Sequence, residues 1–109
     1  MAVRDNWDHL PGVVVREGVI RKAFGGKNST VTLNELKPGT QPNLHSHPHE
    51  QITYIVQGEA EFVLGDEVLK LKRGDLVLVP PNVPHSMKVL GKETILNIDV
   101  FSPRREDYL

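Results

Sequence analysis

Turn-forming residues cut this chain into pieces too short for anything but β-strands. Gly25-Gly26, Lys37-Pro38-Gly39, Gly65-Asp66, Arg73-Gly74-Asp75 and Gly91-Lys92 recur along the sequence, and glycine, proline and aspartate supply the backbone geometry of tight turns. Between them lie runs rich in Val, Ile, Leu and Thr, which suit a pleated, half-buried surface. The pattern predicts strands at 13–24, 30–37, 44–47, 51–57, 59–64, 67–72, 75–80, 85–90 and 93–101. No window keeps apolar residues at three- and four-residue spacing for long enough to argue a helix. Many short strands joined by turns imply an all-β sandwich or barrel.

A length of 109 residues predicts one domain, 1–109, with a single core. Hydrophobic residues at 39% and charged residues at 25% place the chain among globular proteins. The net charge is −1 and the basic residues are scattered, so no nucleic-acid surface is expected. The absence of cysteine excludes disulfides, thiolate metal sites and a cysteine nucleophile. No basic stretch leads into an apolar run at the start, and no segment approaches the ~18 apolar residues of a membrane span. A cytoplasmic protein is therefore expected. The first dozen residues and the last five or so are expected to be loose or to pack against a partner.

Side chains alternate between the two faces of a strand. In the last strand Ile95, Asn97, Asp99 and Phe101 share one side, and Leu96, Ile98 and Val100 share the other. The second side is uniformly apolar and calls for burial, within the protomer or, with residues 13–15, across a dimer interface. The first carries two polar groups between apolar neighbours, the pattern of a lined cavity. A strand with one wet face is the simpler alternative.

Chemistry concentrates in Leu44-His45-Ser46-His47-Pro48-His49-Glu50-Gln51. On a strand His45 and His47 present both imidazoles on one face, and imidazole nitrogen is a good ligand for Zn, Ni, Cu, Mn and Fe. Alone the pair also fits two surface histidines. A second segment, running from Gly74 along an apolar strand into Pro80-Pro81-Asn82-Val83-Pro84, delivers His85.

With both segments in view the chain resembles the cupin superfamily over nearly its whole length, which implies a cupin-type jelly-roll barrel. Its first motif falls on Gly39, His45, His47, Gln51 and Gly58, spanning 39–58, and its second on Gly74, Pro80, Asn82, His85 and Val89, spanning 74–89. Three positions depart from the pattern. Asn82 replaces a glycine, and Asn tolerates left-handed backbone better than most residues. Val89 replaces an asparagine, a structural change. Gln51 replaces a glutamate. The resemblance implies that His45, His47, Gln51 and His85 hold one divalent transition metal ion of unspecified identity. A neutral glutamine leaves the ion more positive than a glutamate would, which favours a Lewis-acid role. It also removes a carboxylate base from beside the metal, and Asp99 becomes the candidate. His49 and Glu50 are rival loop residues, expected at the surface or behind the ligands; His9 is expected at the surface.

The tail Asp99-Val100-Phe101-Ser102-Pro103-Arg104-Arg105 reads most simply as a strand that frays into a charged end. Together with the two histidine segments, however, it resembles the pectin-degradation cupins called KdgF. That resemblance implies conversion of 4,5-unsaturated uronate monosaccharides into linear 5-keto-4-deoxyuronate. It places the catalytic group on Asp99, Phe101 and Arg105: the acid moves a proton, the ring walls the pocket, and the arginine pairs with the substrate carboxylate. Arg104 receives no role. Arg21 is a candidate second cationic contact, although a strand arginine is more often a rim residue with its stem on apolar surface. Other small cupin enzymes (isomerases, polyketide cyclases, dioxygenases) and a non-catalytic sensor of a small acidic ligand are the competing readings. The resemblance also implies a homodimer.

Overall fold

The computed structural model describes residues 2–109. Its nine strands are β1 (Val13–Arg16), β2 (Val19–Gly25), β3 (Thr30–Leu36), β4 (Glu50–Gln57), β5 (Glu59–Leu64), β6 (Glu67–Lys72), β7 (Leu76–Val79), β8 (His85–Leu90) and β9 (Ile95–Ser102). The only helical pieces among the described residues are 3₁₀ turns at Trp7–His9 and Glu106–Tyr108. The strands form two antiparallel sheets, one of six in the order β1-β2-β3-β9-β4-β7 and one of three in the order β6-β5-β8. Fold class thus follows the sequence reading: an all-β, two-sheet barrel.

Most expected strands appear within a residue or two, with two corrections. The run 13–24 is broken into β1 and β2, because Gly18 turns the chain at φ +84°. A side chain there would collide with Thr40, so the turn needs glycine for space as well as for backbone angle. The stretch 44–47 is not a strand. His45 makes one isolated bridge to His85, through N–H···O=C bonds of 3.1 and 2.9 Å. Proline at 42 and 48 lacks the N–H that a longer ladder would use.

Register fixes what faces inward, since residues directly opposite in a sheet share a face. One row across the large sheet runs Val19, Leu36, Ile95. The next runs Arg21, Asn34, Asn97, Ile55, and the next Ala23, Thr32, Asp99, Thr53. The last joins Thr30, Phe101, Gln51 and Val79. The first row packs with Ile55, Ala60, Phe62, Leu71 and Val89 into the hydrophobic core between the sheets. Burying each of the large side chains there contributes roughly 1.5–3 kcal/mol. The remaining rows are largely polar. One end of the barrel is therefore dry and the other is lined with hydrogen-bonding groups.

The inner face of β9 behaves as its alternation implied: Ile95, Asn97, Asp99 and Phe101 are buried. The opposite face is not buried within the protomer. Val100 is 40% exposed, and its cross-strand neighbour Ile52 is 41% exposed. Leu76, Leu78 and Tyr54 extend this apolar surface across β7 and β4. Among the described residues both end segments are anchored to the barrel. Lys22 Nζ donates to the Trp7 carbonyl at 2.7 Å, and Asn6 caps the first 3₁₀ turn through Asp8 N–H. The tail folds back over the barrel mouth: Arg105 N–H donates to Thr30 Oγ1 at 2.9 Å, and Arg105 itself is buried. The expectation of a loose tail fails because Arg105 and Tyr108 find aromatic and polar partners there.

Candidate metal centre and active site

Three imidazoles meet at the polar end of the barrel. His45 and His47 come from the loop before β4, and His85 opens β8. The proline-rich corner that delivers His85 is pinned to the histidine loop by Asn82 N–H, which donates to the His47 carbonyl at 2.7 Å. Asn82 occupies the left-handed region, φ 66°, where the cupin pattern has glycine. Ring centroids are 4.3 Å apart for His45 and His85 and 4.9 Å for His47 and His85. Their ligating atoms lie within 4.8 Å of one another, an arrangement able to hold a metal ion.

The hydrogen bonds prepare those atoms for ligation. His45 Nδ1 donates to the Asn43 carbonyl at 2.8 Å, His47 Nδ1 to the His49 carbonyl at 3.0 Å, and His85 Nδ1 to the Val83 carbonyl at 2.9 Å. Because a carbonyl only accepts, each ring carries its proton on Nδ1 and keeps the Nε2 lone pair free, the tautomer a metal site requires. His85 Nε2 is buried with no partner. His47 Nε2 faces Gln51 Oε1 at 2.8 Å. These are two acceptors, which a proton or a cation between them reconciles. Burial holds the His85 pKa down to about 4 and lowers that of His47 as well, so both favour the neutral, ligating form. The donor set fits a divalent transition ion.

A chain of side chains leads from this cluster to the acid. Gln51 Nε2 donates to Thr53 Oγ1 at 2.8 Å, and the Thr53 hydroxyl donates to Asp99 Oδ1 at 2.7 Å. Asn97 Nδ2 donates to the same oxygen at 2.9 Å, and Asn34 Nδ2 to Oδ2 at 2.8 Å. Asp99 is buried without a cation among its partners. Burial pushes its pKa up, opposed by the hydrogen bonds from Thr53 and the asparagines. A carboxyl raised in this way is better suited than a solvated one to pass a proton to or from a ligand.

Phe101 and the tail close one side. The Phe101 ring meets His47 edge-on at 5.5 Å and Tyr108 edge-on at 5.6 Å. The Arg105 guanidinium lies 4.9 Å from the Phe101 centroid and 3.9 Å from that of Tyr108. It is bound to Asp107 through Nε at 3.1 Å and Nη2 at 2.6 Å, while Nη1 is buried and unpartnered. That pairing holds the Asp107 carboxyl below its ordinary range. The cavity in front of these groups encloses about 170 Å³. Pockets for drug-sized ligands run to roughly 300–1,000 Å³, so the space suits a smaller molecule.

The seven residues singled out from the sequence thus gather around the barrel mouth. His49 is half-buried and contributes its carbonyl, whereas Glu50 and His9 are exposed. Arg104 pairs with Glu106 at 2.8 Å near the surface. Sequence reasoning missed Thr53, Asn34 and Tyr108. Thr53 was within reach, since it stands two residues from Gln51 and shares its face; Tyr108 was not, because its place depends on the tail turning back.

A two-sheet barrel with imidazoles converging in its mouth defines the class of small jelly rolls built around a pocket. The sequence pattern of the family described as a cupin domain matches residues 32–101, and the chain belongs to that family. The pectin degradation protein KdgF of Dickeya dadantii is 39% identical over 104 residues, covering 94% of each chain. A crystal structure of an RmlC-like cupin from Shewanella frigidimarina superposes with a TM-score of 0.87 at 26% identity, covering 96% of this chain and 94% of that one. The structure of KdgF from Halomonas sp. gives 0.85 at 32% identity, covering 94% and 95%.

Proposed function

We propose that this cupin is a metal-dependent enzyme that converts 4,5-unsaturated uronate monosaccharides to linear 5-keto-4-deoxyuronate. The observation that carries the reading is the chain of side chains in which Gln51, its Oε1 2.8 Å from His47 Nε2, donates to Thr53, whose hydroxyl donates to the buried Asp99, with His45, His85, Gln51 and Asp99 lining one cavity. Similarity to two KdgF proteins over nearly the full chain supports it.

His45, His47, His85 and Gln51 would hold the ion, which supplies a Lewis acid for the sugar oxygens. Substrate and linear product are isomers. The ring C–O bond breaks, the anomeric hydroxyl gives up its proton, and carbon 4 gains one, so no oxidant or reductant is needed. Asp99 would deliver the proton that carbon 4 gains. Thr53, Asn97 and Asn34 hold its carboxyl in one orientation. Phe101 forms an apolar wall, and Arg105 offers its unpartnered Nη1 to the substrate carboxylate.

The test is to incubate metal-loaded protein with freshly made unsaturated galacturonate and follow the enol-ether signal by proton NMR, beside metal-stripped protein, because the substrate also opens spontaneously. Loss of the signal well above the spontaneous rate is the expected result. Equal rates for loaded and stripped protein, with galacturonate- and alginate-derived substrates alike, would remove the assignment.

We further propose that residues 1–109 form one cupin domain acting in the cytoplasm, and that the exposed apolar face of the large sheet is where a second copy of the chain docks. Contiguous apolar surface of this kind marks an association site more often than a solvated face.

A further inference from the structure

Among the described residues, Arg21 is the one arginine on the cavity wall with neither a hydrogen-bond partner nor an ion-pair partner. It lies in β2 opposite Asn34, in the row that continues to Asn97, so its side chain starts from the inner face beside the groups that hold Asp99. Its guanidinium sits 3.6 Å from the centroid of the Tyr108 ring and lines the cavity together with His45, Asp99 and Phe101. Arg105, which meets the same ring, is engaged through Nε and Nη2 by Asp107. Arg16, also on the cavity wall, gives its Nε to the Gln41 carbonyl at 3.3 Å. Among the described residues the ion pairs are Arg104 with Glu106 and Arg105 with Asp107. Asp99, the carboxylate on the same inner surface, is filled by neutral donors.

A half-buried cation without a counter-ion costs free energy that an anionic ligand would recover. Tyr108 orients the guanidinium by cation–π contact but leaves all five N–H donors available, and a fork of that shape matches a carboxylate. Resting on the uronate reading, we propose that Arg21 is a specificity-determining residue that joins Arg105 in reading the carboxylate of a small acidic sugar, and that Tyr108, which meets both guanidiniums, positions it.

The experiment compares the wild-type protein with Arg21→Met, which keeps an apolar stem, and Arg21→Lys, which keeps a point charge. Turnover of unsaturated galacturonate by metal-loaded protein is read as KM and kcat. Binding of stable D-galacturonate against neutral D-galactose is read by calorimetry on the metal-free protein. Arg21→Met is expected to raise KM about 10- to 100-fold with a smaller change in kcat, the loss of a charged hydrogen bond. It should also abolish the preference for galacturonate, and Arg21→Lys should fall between. A galacturonate preference that survives in Arg21→Met, or one that the wild type never shows, overturns the role of Arg21. Were Arg21→Met to be unfolded by circular dichroism, an unchanged KM and preference in Arg21→Lys would overturn it equally. Absence of turnover by the wild type removes the enzymatic reading instead, while the calorimetry still decides Arg21.

Discussion

Gln51 faces His47 with its amide oxygen, 2.8 Å from Nε2, and turns its amide nitrogen to Thr53. One neutral side chain thereby joins the face that would meet a metal to the relay that ends on the acid. A glutamate at this position would lack the N–H that reaches Thr53, so the departure from the family pattern has a use in this barrel.

Removing the relay hydroxyl tests that use. Thr53→Val keeps the shape but deprives Asp99 of a donor and Gln51 of an acceptor in a fully buried setting. Stability should fall by about 1–3 kcal/mol, the cost of stranded polar groups, measured by urea denaturation. Turnover should fall while metal content by mass spectrometry stays near one ion per chain.

Asp99→Asn separates chemistry from ligation. The acid is outside the histidine cluster and nearly isosteric with its replacement, so metal content and fold should persist. Turnover should drop about 10²–10⁴-fold, the usual contribution of a positioned acid or base. Retained activity in the NMR assay would remove Asp99 from the mechanism.

Acid should destabilise the metal-free protein through its histidines. Burial lowers the His85 pKa from 6.5 to about 4, so the unfolded chain binds the proton first as pH falls between those values. Stability from this group is therefore complete above pH 6.5 and is lost toward pH 4, by up to about 3 kcal/mol. His47 acts in the same direction, and Asp99, whose pKa is raised, acts in the opposite one. The stability difference between wild type and His85→Asn isolates the histidine: it should shrink on acidification across this window in thermal melts.

The outer face of the large sheet gives a fourth expectation. Ile52→Lys places a charge in the middle of the exposed apolar surface formed with Val100 and Leu78. Light scattering should report a dimer for the wild type at micromolar concentration and a monomer for the variant, with an unchanged melting profile for the isolated protomer. A wild-type monomer would show that this surface serves no second copy.

Local alternation and spacing made much of this legible. The parity of Asn97 and Asp99 against Ile98 and Val100 separated the cavity face of β9 from its outer face, and the histidine spacing located the cluster. Two kinds of information were out of reach. The break at Gly18 lies inside a run of strand-forming residues, and only its left-handed backbone and the crowding of Thr40 show why the turn there takes glycine. The return of the tail depends on partners far away in sequence, Thr30 for the Arg105 backbone and Arg21 for the Tyr108 ring. No periodicity within the last ten residues encodes either contact.

All three imidazoles are steered by main-chain carbonyls of their own loops, those of Asn43, His49 and Val83. The acid, by contrast, is steered by side chains planted on the sheet, Thr53, Asn34 and Asn97. Carbonyls are present whatever residue carries them, so mutation can redraw the sheet without disturbing the aim of the histidines. A barrel wired in this way can keep its histidine end through evolutionary time while trading one reaction for another at the other end of the relay.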